Sequence, residues 1–363
     1  MSAPRLVSWP AVATEEAVAE MHRIRATGAV LVPRRDGDPG VPHLAPRLSG
    51  GSLPEGSVII RTSGSTGRPR DIVIGAPAFA ASARAVAERL DLRATDVWWA
   101  SLSPAHVGGI ALLLRARHLG CEVVCTGGFD ARVFLELCAT RRITHASFVP
   151  TMLRRVLEIA PEGQDFSSLR TLLIGGAAAD PGSLRRAVEA GIPVATTWGM
   201  TEAASQVATA TPAETAADPT HAGRTLDGVE VRTDANGRLH LRTPTLALGE
   251  LVEGRLVPLV GPDGWYATDD LGHLDEAGFV RITGRVSDRI ISGGVNVDPL
   301  EVEGSIRGME GVEEVVVVGV PDPEWGERVV AVVVARPDDP RSGAELHAAL
   351  PAELSGARRP KAV

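Results

Sequence analysis

Lysine is almost absent: a single Lys361 stands against 36 arginines in 363 residues. Any step that needs a lysine amine has one candidate, and positive charge elsewhere must come from guanidinium groups. The three cysteines, Cys121, Cys125 and Cys138, cannot make a disulfide scaffold in so long a chain, and they lack the CxxC…CxxC spacing of a zinc site. No run of 18 apolar residues occurs, which excludes a membrane-spanning helix. The start, MSAPRLVSWPAVATEEAV, lacks the basic-then-apolar order of a secretion signal. A reducing cytoplasm is therefore the expected compartment. There is no excess of positive charge either. The formal charge of −8 argues against nucleic acid or an anionic membrane as partner. A polyphosphate ligand would have to be held locally, by backbone amides, placed side chains and a divalent ion.

What is present points to a globular chain of two or three domains, with 44% apolar residues supplying ample core. From Ser57 to Gly199, short apolar runs alternate with amphipathic stretches. The runs are 57–62, 97–102, 121–126, 144–149, 170–175 and 193–198; the helical stretches between them include 77–90, 107–119, 130–141, 150–159 and 181–190. Runs apolar throughout and separated by helices read as parallel strands covered on both faces, hence an α/β fold with doubly wound sheets and ligands beyond the strands' carboxyl ends. After residue 214, alternating segments broken by Gly and by Asn236-Gly237 read as antiparallel hairpins. Residues 286–363 read as a small α+β module, with a helix near 299–307, strands near 312–319 and 328–335, and a helix near 343–354. The Pro- and Gly-rich segment 31–56 reads as irregular surface chain.

Three clusters carry chemistry. Thr62-Ser63-Gly64-Ser65-Thr66-Gly67-Arg68-Pro69-Arg70 follows the first strong strand; its hydroxyls and glycines suit a phosphate cradle, although a polar surface loop has the same composition. It lacks the GK[ST] ending of a Walker motif. Thr196-Thr197-Trp198-Gly199-Met200-Thr201-Glu202 ends the alternating block. Glu202 could hold a magnesium ion bridging phosphates and Trp198 could stack on a flat base, although taken alone Glu202 reads first as a helix-start acid and Trp198 as core. Thr268-Asp269-Asp270-Leu271-Gly272, then Gly284-Arg285-Val286-Ser287-Asp288, could grip ribose hydroxyls or form ordinary turns.

In their order, TSGSTGRPR, WGMTE, ATDDLG and GRVSDRIISGGVNVDPLEVE resemble the adenylate-forming superfamily of acyl-CoA ligases, peptide-synthetase adenylation domains and luciferases, across residues 57–320. LLIGGAAAD, the SQVAT that follows GMTE, Ser287 and LSPAHVGGI narrow the likeness to o-succinylbenzoate–CoA ligases of menaquinone biosynthesis. The resemblance implies a large N-terminal domain (1–284), a hinge at 285–288 pivoting on Ser287, and a small mobile C-terminal domain (289–363) lacking its last segment. It implies ATP, Mg²⁺ and CoA as co-reactants and a small carboxylic acid as substrate. By position it assigns Thr62, Ser63, Gly64, Ser65, Thr66 and Gly67 to the triphosphate, with Arg70 where the family usually has lysine. It places Gly176, Ala177 and Trp198 at adenine, Thr201 at the α-phosphate, Glu202 at magnesium, and Asp270 and Arg285 at ribose. His106, Gly175, Gly199, Met200 and Ser205 fall at the acyl group, and Gly293 and Gly294 at CoA. A ligase for another aryl or fatty acid, an adenylation enzyme loading a carrier protein, and a non-catalytic adenylate binder share these motifs. The oligomeric state, a homodimer included, is left open.

Two departures stand out. The family's Thr-Gly-Asp reads Thr268-Asp269-Asp270 here, a turn that aspartate tolerates. The catalytic lysine that the family carries near its C-terminus has no counterpart, since Lys361 matches a Pro-Lys pair preceding it. Loss of one placed charge-stabilising donor costs about 10²–10³ in rate. Single-turnover assays should therefore show slow adenylation but rapid conversion of supplied acyl-AMP to thioester. Restoring a C-terminal lysine should accelerate the first step alone; equal rates for both steps would refute this.

Overall fold

The alternating block folds around one seven-stranded sheet. In the computed structural model, which describes residues 5–34, 53–62, 69–336 and 339–363, five strands run parallel in the order Val194–Met200, Thr171–Ile174, His145–Phe148, Val97–Trp99, Glu122–Val124. Ser205–Thr209 and Arg224–Thr225 extend it antiparallel. Side chains alternate across the pleat, so Trp99, Phe148 and Ile174 share one face with Phe134, Cys138, Leu153, Val156 and Leu184 of three covering helices, Ala131–Ala139, Pro150–Ile159 and Pro181–Glu189. Trp98 points to the other face, where Arg115 of helix Val107–Leu119 lies over its ring. Helix Ala76–Leu90 packs on that helix. Both faces are covered, as a doubly wound sheet requires.

Two expectations need correction. Val58–Thr62 does not join this sheet. It lies in a six-stranded mixed one, in the order Leu6–Pro10, Val30–Arg34, Val58–Thr62, Arg70–Ile74, Gly249–Val252, Arg255–Val257. Its apolar run matches a strand with neighbours on both sides, but one neighbour, Arg70–Ile74, is antiparallel. Residues 31–34 are likewise strand rather than irregular chain: Val30–Arg34 pairs in parallel with Leu6–Pro10, and Leu31 is fully buried. Pro33, which removes a ladder donor, concealed this strand in the sequence.

At the amino ends of three neighbouring parallel strands sits a closed polar network. Asp96, Thr144 and Arg170 each immediately precede a strand. Arg170 Nη1 donates to both Asp96 oxygens at 2.6 and 2.8 Å, and the Thr144 hydroxyl accepts from Val97 N at 2.9 Å. His145, wholly buried beside it, stacks on Trp98 with 4.8 Å between ring centres. This edge is cross-tied, while the carboxyl edge carries the turn with Thr201 and Glu202.

The chain divides into two compact units. The first comprises residues 1–231, 241–266 and 274–281, and the second residues 232–240, 267–273 and 282–363. A four-stranded sheet, Glu230–Thr233, Arg238–Arg242, Tyr266–Leu274 and Val280–Arg285, supplies residues to both. In the second unit, helix Pro299–Arg307 packs on the long hairpin Val312–Asp322 and Gly326–Ala335 over a core including Val302, Ile306, Val315, Val317, Val329 and Leu346. The last helix, Gly343–Ala348, stops six residues short of the expected 354, because Pro351 can neither donate nor let its predecessor stay helical. Lys361 donates its backbone N–H to Val329 O at 2.7 Å and lays its ammonium over the Trp325 ring, 4.1 Å from the centroid.

Burial lowers the His145 pKa from 6.5 to about 4, against the opposing charge of Asp96. The unfolded chain therefore binds a proton that the folded chain refuses between those two values, and stability falls as pH drops through that window. Urea denaturation of His145→Gln at a series of pH values should show a shallower acid-side slope than the parent; an unchanged slope would refute the assignment.

Candidate active site

The site of the first unit begins at the carboxyl end of strand Val194–Met200. There the chain turns through a short 3₁₀ helix, Thr201–Ala203, and reverses into Ser205–Thr209. Ala204 and Ser205 both have positive φ, +51° and +107°. Two successive non-glycine residues in that region store strain of the kind found at functional turns. Gly199 lets the reversed strand approach closely, since a Cβ there would fall 2.0 Å from Ser205 O. This geometry presents Thr201 and Glu202, both half-buried, beyond the sheet's edge.

Arg70 opens the strand that pairs with Val58–Thr62. Its Nη1 donates to Glu202 Oε1 at 2.8 Å and its Nε to Glu250 Oε2, also at 2.8 Å. Glu250 comes from Gly249–Val252, the antiparallel neighbour of Arg70–Ile74. Burial opposes the charge on Arg70, but the bond to Glu250 and the charges of Glu202 and Glu250 prevail and raise its pKa above the ordinary value. Tyr266, the single tyrosine of the chain, joins the cluster. Burial and then Glu202 push its phenol well above the usual value. The set thus holds two carboxylates, one guanidinium and a neutral phenol, a local excess of one negative charge. Neither Glu250 nor Tyr266 was expected from the sequence.

The other expected residues of this unit fall at neighbouring strand ends. Thr62 ends Val58–Thr62, and its hydroxyl lies 3.5 Å from Arg70 O. Ser63, Gly64, Ser65, Thr66 and Gly67 lie outside the described residues. Gly175 follows Thr171–Ile174 and packs against Thr197, whose Cγ2 would lie 2.7 Å from an added Cβ; Gly176 has φ +81°, and Gly176 and Ala177 are exposed. Trp198 is 7% exposed, the burial expected of a core residue. Met200 is half-buried, and exposed His106 is the N-cap residue of helix Val107–Leu119, through its backbone rather than its side chain.

That helix carries a residue the sequence did not single out. Arg115 is buried, and its sole ion-pairing or hydrogen-bonding partner among the described residues is the neutral Gln206, whose Oε1 accepts from Nη2 at 2.8 Å. Its Nε has no partner, nor do Trp98 Nε1 and His145 Nε2. Burial lowers its pKa to about 10, so it remains a cation at neutral pH. Its place directly after Ile-Ala-Leu-Leu-Leu, ahead of the basic last turn with Arg117 and His118, was the only local signal.

The second unit brings Asp270, Arg285 and Ser287 together. Arg285 Nε lies 3.3 Å from Asp270 Oδ1 and Nη2 lies 3.5 Å from Asp269 Oδ2. Gly293 and Gly294, with φ of +57° and +78°, form the two-residue turn between Ile290–Ser292 and Val295–Val297, the primed geometry glycine favours. The Trp325 ring closes over Gly293, 3.0 Å from where a Cβ would stand.

Among the described residues, no group of three or more His, Cys, Asp or Glu side chains could hold a metal ion, and no helix is long and apolar enough to cross a membrane.

Residues 46–252 match the family described as AMP-binding enzyme, and residues 301–363 match the AMP-binding enzyme C-terminal domain. The 2-succinylbenzoate–CoA ligase of Listeria monocytogenes serotype 4b is 34% identical over 311 residues, covering 86% of this chain and 66% of the relative. That of Bacillus mycoides is 37% identical over 296 residues, 79% of this chain and 62% of the relative. The chain thus spans slightly less than two-thirds of these curated relatives. Wild-type E. coli MenE with a bound m-phenylether-linked analogue of OSB-AMS superimposes with a TM-score of 0.81 at 28% identity, covering 99% of this chain and 84% of that one. The o-succinylbenzoate CoA synthetase from Bacillus subtilis in complex with OSB-AMP shares the fold, with a TM-score of 0.82 at 24% identity and the same coverages.

Arg70→Met should destabilise the first unit by about 1–3 kcal/mol, since it leaves two half-buried carboxylates without their cation. With Glu250→Gln alone completing the cycle, the double variant should lose less in urea denaturation than the sum of the two single losses; strictly additive losses would show that Arg70 and Glu250 are not coupled.

Proposed function

The chain belongs to the AMP-binding enzyme family, and from that premise we propose that it activates o-succinylbenzoate with ATP to the acyl-adenylate and transfers the acyl group to CoA. The observation that carries the reading is the Arg70–Glu202–Glu250 cluster, whose arginine opens the strand paired with Val58–Thr62. It offers a cation for phosphate and a carboxylate for a phosphate-bound magnesium ion. One protein carboxylate with the remaining ligands from phosphate and water is how magnesium is ordinarily bound, so Glu202 fits that ion. When bound, magnesium would neutralise charge developing on the phosphates.

In this mechanism a substrate carboxylate attacks the α-phosphorus and pyrophosphate leaves; the CoA thiol then attacks the mixed anhydride and AMP leaves. The chain's own work is positioning and charge stabilisation. Thr201 contacts the α-phosphate, Arg70 turns its guanidinium from carboxylates to phosphate, and Asp270 with Arg285 holds the ribose. Gly175 and Gly176 keep the acyl-adenylate pocket free of side chains, and Gly294, which has open space around it, leaves room for pantetheine beside the Trp325-covered Gly293. Ser287 serves as the pivot between the two half-reactions.

Two things support o-succinylbenzoate over a simpler acid. The curated relatives above carry that activity in their names. The substrate also keeps a second carboxylate after activation, and Arg115 is a buried cation lacking one. A buried charge without a counter-charge is costly, and a ligand carboxylate would remove the cost.

The test supplies o-succinylbenzoyl-AMP with CoA, and benzoyl-AMP and octanoyl-AMP as controls. The expected result is thioester from the first substrate in clear preference. Arg115→Met should reduce that preference about 10–100-fold, the range for one charged hydrogen bond, while leaving benzoyl transfer unaltered. No transfer from any adenylate would overturn the proposal.

A further inference from the structure

Asp269 stands where the resembled superfamily has glycine, and its carboxylate does more than complete a turn. Oδ2 accepts the Ser287 hydroxyl at 2.6 Å, and Oδ1 accepts the Ser287 backbone N–H at 3.2 Å. The same carboxylate lies 3.5 Å from Arg285 Nη2, while the Arg285 Nε faces Asp270. Thus one side chain binds both ends of the 285–287 stretch. Ser287 also reaches Asp288 Oδ1 at 3.1 Å, but a hydroxyl has one proton, and the shorter contact to Asp269 takes it.

The two partners differ in rigidity. Asp269 sits within strand Tyr266–Leu274, next to the fully buried Thr268, whose hydroxyl donates to Leu239 O at 2.8 Å. Ser287 sits in the three-residue 3₁₀ turn Val286–Asp288, which has no side-chain cap. A fixed carboxylate gripping an otherwise weakly held turn through both hydroxyl and amide determines where that turn sits, and hydrogen bonds to an ionised acceptor are the strong kind. A glycine at 269 could make none of them.

We propose that Asp269 is a positioning residue: it anchors Ser287 and Arg285 to the strand, so that the 285–288 segment turns only after the carboxylate releases Ser287. It also keeps Arg285 in place when Asp270 engages a sugar hydroxyl. The mechanistic consequence rests on the ligase reading above; the anchoring itself does not.

Hydrogen exchange of the nucleotide-free protein tests it, because the Ser287 amide is one of the bonded groups. In Asp269→Gly, the Ser287 amide should exchange about 10- to 100-fold faster, the factor expected for one hydrogen bond to a charged acceptor. Asp269→Asn, which keeps an acceptor oxygen without the charge, should fall between, and amides of the neighbouring strand should be unchanged in both. Trypsin should cut faster after Arg285 in the glycine variant. Unaltered exchange at Ser287 in a folded Asp269→Gly protein overturns the proposal. No turnover enters the measurement, so loss of the anchoring and loss of the ligase reading are separate outcomes; the supplied-adenylate assay decides the second.

Discussion

A single guanidinium shared by two carboxylates ties together segments that are far apart in the chain. Arg70 reaches Glu202, 132 residues on, and Glu250, 180 residues on. Through it the mixed sheet, its antiparallel extension and the turn beyond the parallel sheet meet at one point. The arrangement is stable only while the charges are near balance. Two acids with one base leave a surplus negative charge, which is the feature on which the function proposed above rests.

The parallel sheet is polarised to match. Its amino edge is closed by Asp96, Thr144 and Arg170, which bond to one another and to the neighbouring backbone. Its carboxyl edge holds glycines with small footprints, a strained reversal at Ala204 and Ser205, and the acid Glu202. Rigidity on one side permits departure from regular geometry on the other, because the strands that carry the loops cannot shift to relieve it.

Much of this was legible in the chain itself. Helix Pro299–Arg307 coincides with an amphipathic stretch and the five parallel strands with apolar runs, where local preference and tertiary pairing agree. Thr201 and Glu202 were readable because a short motif follows a strand. Glu250 and Tyr266 were not, because their importance depends on a pairing between residues 70–74 and 249–252 that no local periodicity records. Arg115 was hidden differently, as one arginine among 36 until its burial set it apart. Strand Val30–Arg34 was lost to a proline and to the Pro- and Gly-rich residues that follow it.

The scarcity of lysine has a practical consequence in the second unit. Lys361 packs its ammonium on Trp325, and that ring covers Gly293. Apart from the terminal amine, an amine-directed fluorophore or crosslinker would find a single side chain, seated on the indole that covers Gly293. The protein thus carries a built-in side-chain address for a spectroscopic reporter beside the Gly293–Gly294 turn, without engineering a single residue.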